Sequence, residues 1–168
     1  MISLRPVEPA DAPALARFYR EGLGTAARYN RFLGAIADAS PALLGQLTRA
    51  DPMRSFALVA TRGEEIIGEA RYAINERGLA EFAIAVADGV LRRGVGSRLM
   101  RALAARARRA GLPRLEGEIL ATNVAMLAFV RKAGFRLRGC PGEARLVCAS
   151  LELEPREIAP SWRLAAAM

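Results

Sequence analysis

The run from Leu79 to Ala121 constrains the fold more than any other part of the chain. It reads as a strand (Leu79 to Val86), a glycine-punctuated turn, a helix from about Gly94 to Ala110 stopped by Gly111, and a second strand from Arg114 to Ala121. A strand, a helix and a strand in one sheet require a right-handed crossover and a parallel pair. Val95, Leu99, Leu103 and Ala107 recur every four residues and define one apolar helix face, which directs the arginines outward. The turn Gly94-Val95-Gly96-Ser97, entered through Val90-Leu91-Arg92-Arg93, lets backbone approach a ligand without an intervening Cβ. The helix that follows starts with unpaired N–H groups and a partial positive charge. At the carboxyl end of a parallel strand this arrangement cradles a diphosphate and points to a nucleotide-type cofactor; a Gly-x-Gly before a helix also occurs where a tight turn is needed and nothing binds.

The remaining segments surround that unit with antiparallel neighbours. Ile2 to Val7 alternates as a short strand, and Asp11 is placed to cap a helix running to about Glu21. Residues 29–49 read as one or two short helices broken near Ser40-Pro41, with Leu43, Leu44 and Leu47 on one face. Ser55 to Thr61 and Glu65 to Ile74 form a hairpin around Arg62-Gly63. Asn123 caps a helix with the apolar stripe Met126, Phe129, Val130 and Ala133, ended by Gly134; Phe135 to Arg138 and Arg145 to Leu153 close the sheet. The expected fold is a single α/β domain over residues 1–154, with a mixed, mostly antiparallel sheet of six to seven strands, a central parallel pair and about four helices. Residues 155–168 read as a loosely attached tail.

Composition narrows the chemistry. A chain of 168 residues is one domain by length. Apolar runs are broken by Arg or Glu well before the ~18 residues of a membrane span, and the start of the chain lacks a signal pattern, so a cytoplasmic protein without membrane association is expected. Histidine is absent, which excludes Ser-His, Cys-His and His-metal chemistry. A general base is then a carboxylate, a tyrosinate, the single lysine Lys132 or water. Cys140 and Cys148 lack metal-ligand spacing, so no metal is expected; they are expected as two inert thiols, with a disulfide as the alternative. Of the 25 basic residues all but Lys132 are arginine, and Arg92, Arg93, Arg98, Arg101, Arg106, Arg108, Arg109 and Arg114 lie in one stretch with no acid between Asp88 and Glu116. Such a focus suits a polyanionic cofactor or nucleic acid, or is a solvated helix face. Without stacking aromatics in the stretch, nucleic acid is not the expected partner.

These motifs, in this order, resemble the GNAT superfamily of acetyl-CoA-dependent N-acetyltransferases. Leu4-Arg5-Pro6 with Asp11-Ala12 looks like the opening strand and helix, Leu91 to Gly96 occupies the Q/R-x-x-G-x-G/A loop, and Asn123 with Ala133-Gly134-Phe135 looks like the N…K-x-G-F signature. Within that superfamily the chain is similar to the catalytic domain of bacterial Pat-type protein lysine acetyltransferases, through Arg28 to Leu33, Leu47-Thr48 with Asp51, Phe56 to Ala60, Ala70-Arg71-Tyr72, Ala80 to Ala83 and Met126. The likeness spans roughly residues 2–153. It departs at Leu91, where the superfamily uses Gln or Arg, and at Val130, where many members carry a tyrosine general acid. It also lacks the acyl-CoA-synthetase-like or regulatory module of the larger Pat-type proteins.

The resemblance implies acetyl-CoA as cofactor, held by Leu91, Arg92, Arg93, Gly94, Val95, Gly96 and Ser97 at its phosphates and by Ile84, Ala85, Val86, Asn123 and Met126 along the pantetheine arm. Asn123 serves otherwise as a helix cap alone. It implies a parallel neighbour that splays away from Ile84 to Val86, and a Val86 N–H that holds the oxyanion of the tetrahedral intermediate. A lysine amine, with a free pKa near 10.4, needs a base before it attacks a thioester. Period-two alternation puts Glu81 on the small-residue face with Ala83 and Ala85, which leaves room for substrate, and its match to the family position implies Glu81 as the base, with Glu118, Glu116 and Glu69 as rivals. Glu81 is otherwise a strand carboxylate paired with an arginine. The departing thiol, about as acidic as cysteine, leaves as thiolate or is protonated by solvent. The expected acceptor is a protein lysine; the alternatives are a small amine (polyamine, amino acid or aminoglycoside) or a non-catalytic acyl-CoA sensor. The acceptor wall is expected around residues 22–50, and the protein is expected to be a bacterial monomer or homodimer.

Overall fold

The structure is a computed structural model and describes residues 1–34, 39–49 and 51–153. The expected tail at 155–168 lies outside the described residues. Seven strands form one sheet: β1 (Ile2–Pro6), β2 (Ser55–Arg62), β3 (Glu65–Ile74), β4 (Ala80–Val86), β5 (Arg114–Leu120), β6 (Arg136–Cys140) and β7 (Glu143–Glu152), in the order β1-β2-β3-β4-β5-β7-β6. Only β4 and β5 are parallel among the pairs described; the others are antiparallel. Five α-helices flank the sheet: α1 (Ala12–Arg17), α2 (Thr25–Phe32), α3 (Pro41–Thr48), α4 (Val95–Arg109) and α5 (Val124–Lys132). No helix among the described residues is long and apolar enough to cross a membrane.

Helix α4 covers one face of the sheet. Val95, Leu99, Leu103 and Ala107 are all buried, as their spacing requires. Gly68 in β3 permits the approach, because a Cβ there would stand 3.0 Å from the Leu99 Cδ1 and 3.2 Å from the Ala85 carbonyl. Outward arginines bind the surface: the Arg106 guanidinium lies 5.0 Å over the Phe56 ring and Arg98 donates to the Ile2 carbonyl at 3.2 Å. At the far end, the last turn of α5 carries Arg131 and the exposed Lys132.

The opposite face carries α1, α2 and α3 around a buried ion cluster. Glu69 of β3 is fully buried, with Arg31 of α2 on one carboxylate oxygen and Arg71 Nη2 at 2.9 Å from the other. Arg71 also donates to the Leu47 carbonyl of α3 at 3.0 Å, so one carboxylate ties two helices to the sheet. The Arg31 guanidinium stacks 4.9 Å from the Phe32 ring centre, and Tyr19 packs edge-on against Phe32. Burial alone would raise the Glu69 carboxyl; the two guanidiniums reverse that and hold it at about 2.

Several expectations change. The first helix leaves α geometry at Phe18 and continues as a π-helical turn to Gly22. The helix expected from residue 29 begins at Thr25, since Gly24 supplies the extended residue before it. Asp11 does not cap forward: its carboxylate turns back to accept the Glu8 N–H at 2.8 Å and a two-pronged ion pair from Arg5, which holds its pKa below the usual carboxylate range. Ala133 is exposed, because α5 ends at Lys132 and the stripe ends with Val130. Cys140 and Cys148 are joined as a disulfide, with Cα atoms 5.2 Å apart. The bond lies beside a register shift between Gly139 and Cys140 and overturns the expectation of free thiols.

Strands β4 and β5 pair only at Ala80–Leu115 and Glu81–Glu116, and then part. Phe82 follows the last pair, and its ring occupies the place of a side chain on Gly117: a Cβ there would stand 2.5 Å from the Phe82 Cε1. The ring is backed by Phe135, 4.9 Å between centroids.

Two outcomes are expected. Gly117→Ala should lower stability by about 1–3 kcal/mol in urea unfolding, with part of the loss recovered when Phe82→Leu is added. Glu69→Gln leaves two buried guanidiniums short of charge and should cost about 3–5 kcal/mol. Because folding depresses the Glu69 pKa from 4.5 to about 2, its stabilisation is complete above pH 4.5 and is lost as pH falls toward 2. Acid unfolding followed by circular dichroism should therefore be steeper over that range in the wild type than in the variant.

Candidate active site

The parted strands open a cleft of about 1620 Å³, floored by β4 and β5 and walled by α2, the loop before α4, α5 and the β6–β7 turn. Of the residues expected at the site, Glu81, Ile84, Ala85, Val86, Leu91, Arg92, Gly94, Val95, Gly96, Ser97, Asn123 and Met126 all line it. Arg93 does not: it is exposed outside the lining. The reason is local, since Arg92 and Gly94 both take left-handed backbone (φ +61° and +78°) and turn the residue between them away.

The edge of β4 is open where β5 withdraws. Ala87 N–H donates to the Ile67 carbonyl at 2.9 Å, toward β3. By strand alternation Val86 and Ile84 present their N–H and C=O groups to the opposite edge, into the cleft. At the top of the same strand α4 begins, and its first intrahelical donor is Arg98 N–H to the Gly94 carbonyl at 3.0 Å. The N–H groups of Val95, Gly96 and Ser97 lie outside that ladder. A Cβ at Gly94 would meet no atom within 4 Å, while at Gly96 it would touch the Phe129 ring and Val86, so this wall is smooth backbone. The loop is further held by Asp88, whose carboxylate accepts the Gly24 N–H at 3.0 Å and clasps it to the start of α2.

The carboxylates separate by environment. Glu69, one rival base, is fully buried between its two arginines and outside the cleft, so it cannot take a proton from a ligand there. Glu116 lines the cleft but is paired with Arg114 at 2.7 Å. Glu118 stands beside the two sulfurs, the three potential ligand atoms lying within 4.8 Å of one another, with the sulfurs bonded to each other. Glu81 takes part in none of the ion pairs among the described residues and accepts a hydrogen bond from Asn75 Nδ2 at 2.6 Å. Asn123 caps α5, its side chain accepting the Met126 N–H at 3.2 Å. Val130 is fully buried, and no tyrosine lines the cleft among the described residues.

Asn75, Asp88 and the Phe82–Gly117 wedge were not singled out by sequence reasoning. The Asn-Glu-Arg-Gly connection between two strands is a turn signal that marks Asn75; the other two depend on partners distant in sequence.

The residues present fit acetyl-CoA. A strand edge with free donors and acceptors suits the amide-bearing pantetheine arm, and a side-chain-free bend with unpaired N–H groups and Arg92 suits the diphosphate.

Comparison with known proteins agrees. The chain is 35% identical over 157 residues to the acetyltransferase PA5475 of Pseudomonas aeruginosa, covering 90% of this chain and 84% of that protein. It superposes on the crystal structure of the GNAT domain of S. lividans PAT with a TM-score of 0.84, at 30% identity and 89% of each chain. The structure of yncA from Salmonella typhimurium with its cofactor acetyl-CoA shares the fold, at TM-score 0.74 and 19% identity over 93% of this chain and 96% of that one. The acetyltransferase (GNAT) family model matches residues 27–135, and the chain belongs to the GNAT family of acetyl-CoA-dependent acetyltransferases.

Proposed function

We propose that the acceptor is a primary amine, in the first instance a lysine side chain of a protein, and that Glu81 is the general base. The observation that carries the proposal is the placing of an ion-pair-free carboxylate on the floor of the cleft, on the strand whose parted edge carries the Val86 N–H. An ammonium with a pKa near 10.4 must lose its proton to become a nucleophile, and a carboxylate at the cleft floor takes it directly or through one water. Ala83 and Ala85, on the same face as Glu81, leave space for the approaching amine.

Acetyl-CoA supplies the acetyl group as a thioester. Ile84 and Val86 would hold its pantetheine arm, and Val86 N–H would donate to the acetyl oxygen. Arg92 with the N–H groups of Val95, Gly96 and Ser97 would hold the phosphates, and Met126 and Phe129 would form the apolar side of the channel. With Val130 buried, no side chain there returns a proton, and water in the open cleft does so.

A lysine presented on a protein surface can reach the floor of a cleft that opens to solvent. The resemblance to Pat-type domains supports the same reading. Acetyl-CoA consumption measured against an acyl-CoA synthetase protein and a panel of small amines should show preference for the protein. Glu81→Gln should lower kcat/KM by about 10²-fold or more at neutral pH. Undiminished turnover in that variant removes Glu81 from the mechanism.

A further inference from the structure

The base sits two residues beyond a five-residue connection, Asn75 to Leu79, whose hydrogen bonds converge on one side chain. Asn75 Oδ1 accepts the Arg77 N–H at 2.9 Å and the Leu79 N–H at 3.0 Å, which fixes the turn. Its backbone closes the same turn, donating to the Leu79 carbonyl at 2.9 Å and accepting the Gly78 N–H at 3.0 Å. With Oδ1 committed to two backbone donors, the amide has one orientation, and Nδ2 faces Glu81 Oε1 at 2.6 Å. Arg54 Nη2 donates to the Ile74 carbonyl at 3.3 Å and braces the end of the strand that carries Asn75.

We propose that Asn75 is a positioning residue for the acetyl transfer: its turn-locked amide holds one oxygen of the Glu81 carboxylate and leaves the other to face the incoming amine. The proposal rests on Glu81 being the base. An exposed carboxylate such as that of Glu81 otherwise samples several rotamers, and a donor fixed by two backbone bonds selects one of them. With Oε1 occupied by the amide, the lone pairs of the second carboxylate oxygen stay free for the amine proton.

Other charged groups surround Glu81. Glu116 is its register partner on β5 and is paired with Arg114; Arg77 lies on the connection; Arg31 on α2 is committed to Glu69; Glu118 and Glu143 stand farther along the cleft. Asn75 is the group that hydrogen-bonds the Glu81 side chain.

Asn75→Asp separates the two duties of the side chain. It keeps acceptors for the Arg77 and Leu79 N–H groups while replacing the donor to Glu81 by a like charge. The expected result is a melting temperature near that of the wild type, an unchanged KM for acetyl-CoA, a kcat lowered about tenfold at neutral pH through the lost orientation, and an acid limb of kcat/KM moved to higher pH by the like charge. Asn75→Ser, whose hydroxyl can hold the turn but is too short to reach Glu81, should lower kcat without moving KM for acetyl-CoA. It decides the matter should Asn75→Asp fold poorly. Wild-type kcat and an unmoved acid limb in the folded variants overturn the proposal. Glu81→Gln, assayed in parallel, keeps the two readings apart: a fully active Glu81→Gln refutes the base, whereas an inactive Glu81→Gln beside an unaffected Asn75→Asp refutes only the positioning.

Discussion

The early parting of β4 from β5 is the constraint on which the rest of the site depends. Two strands of seven residues each remain paired at only two positions, and where they part a phenylalanine ring lies in the place of a side chain that its neighbour lacks. Phe82 and Gly117 are thus one device made of two residues. The parting leaves donors and acceptors of a central strand without partners, a condition that buried backbone avoids unless a ligand completes it. An extended, amide-bearing arm is the ligand shape that does so with the fewest new contacts.

The two faces of the sheet are built on different physics. On the face covered by α4 the backbone is brought close by glycine: Gly68 lets α4 sit on the sheet, and Gly94 gives the left-handed bend that starts the helix. That wall is shaped by what is missing from the side chains. On the opposite face α2 and α3 are held by one fully buried carboxylate shared between Arg31 and Arg71. Short helices are marginal by themselves, and a buried ion cluster adds a directional constraint on where they dock.

Much of this was legible in the sequence because it is periodic. The four-residue repeat of Val95 to Ala107 gave α4 its buried face, and the sequence of strand, turn, helix and strand required the single parallel pair. The candidate cofactor residues followed from the glycine bend and from family resemblance together; Arg93 fell outside because left-handed backbone at Arg92 is not a property that sequence announces. The rest was set by tertiary context. Glu69 and Glu81 look alike in sequence, each a strand glutamate, and only the arrival of Arg31 from 38 positions away makes one structural. The Cys140–Cys148 bond lies beside a register slip within a hairpin, and Asp11 prefers Arg5 to the helix it precedes. Asn75 was hidden for the opposite reason: its turn was ordinary, and its meaning came from the carboxylate six residues on.

One feature of the surface bears on how such a chain coexists with a reactive thioester. Its cationic character is carried by guanidinium, which stays protonated to beyond pH 12 and is a poor nucleophile, while its one ε-amine, Lys132, sits in the last turn of α5. The protein therefore carries a net positive charge while offering its own donor almost no ε-amine to modify, so it handles activated acyl groups with little risk of labelling itself.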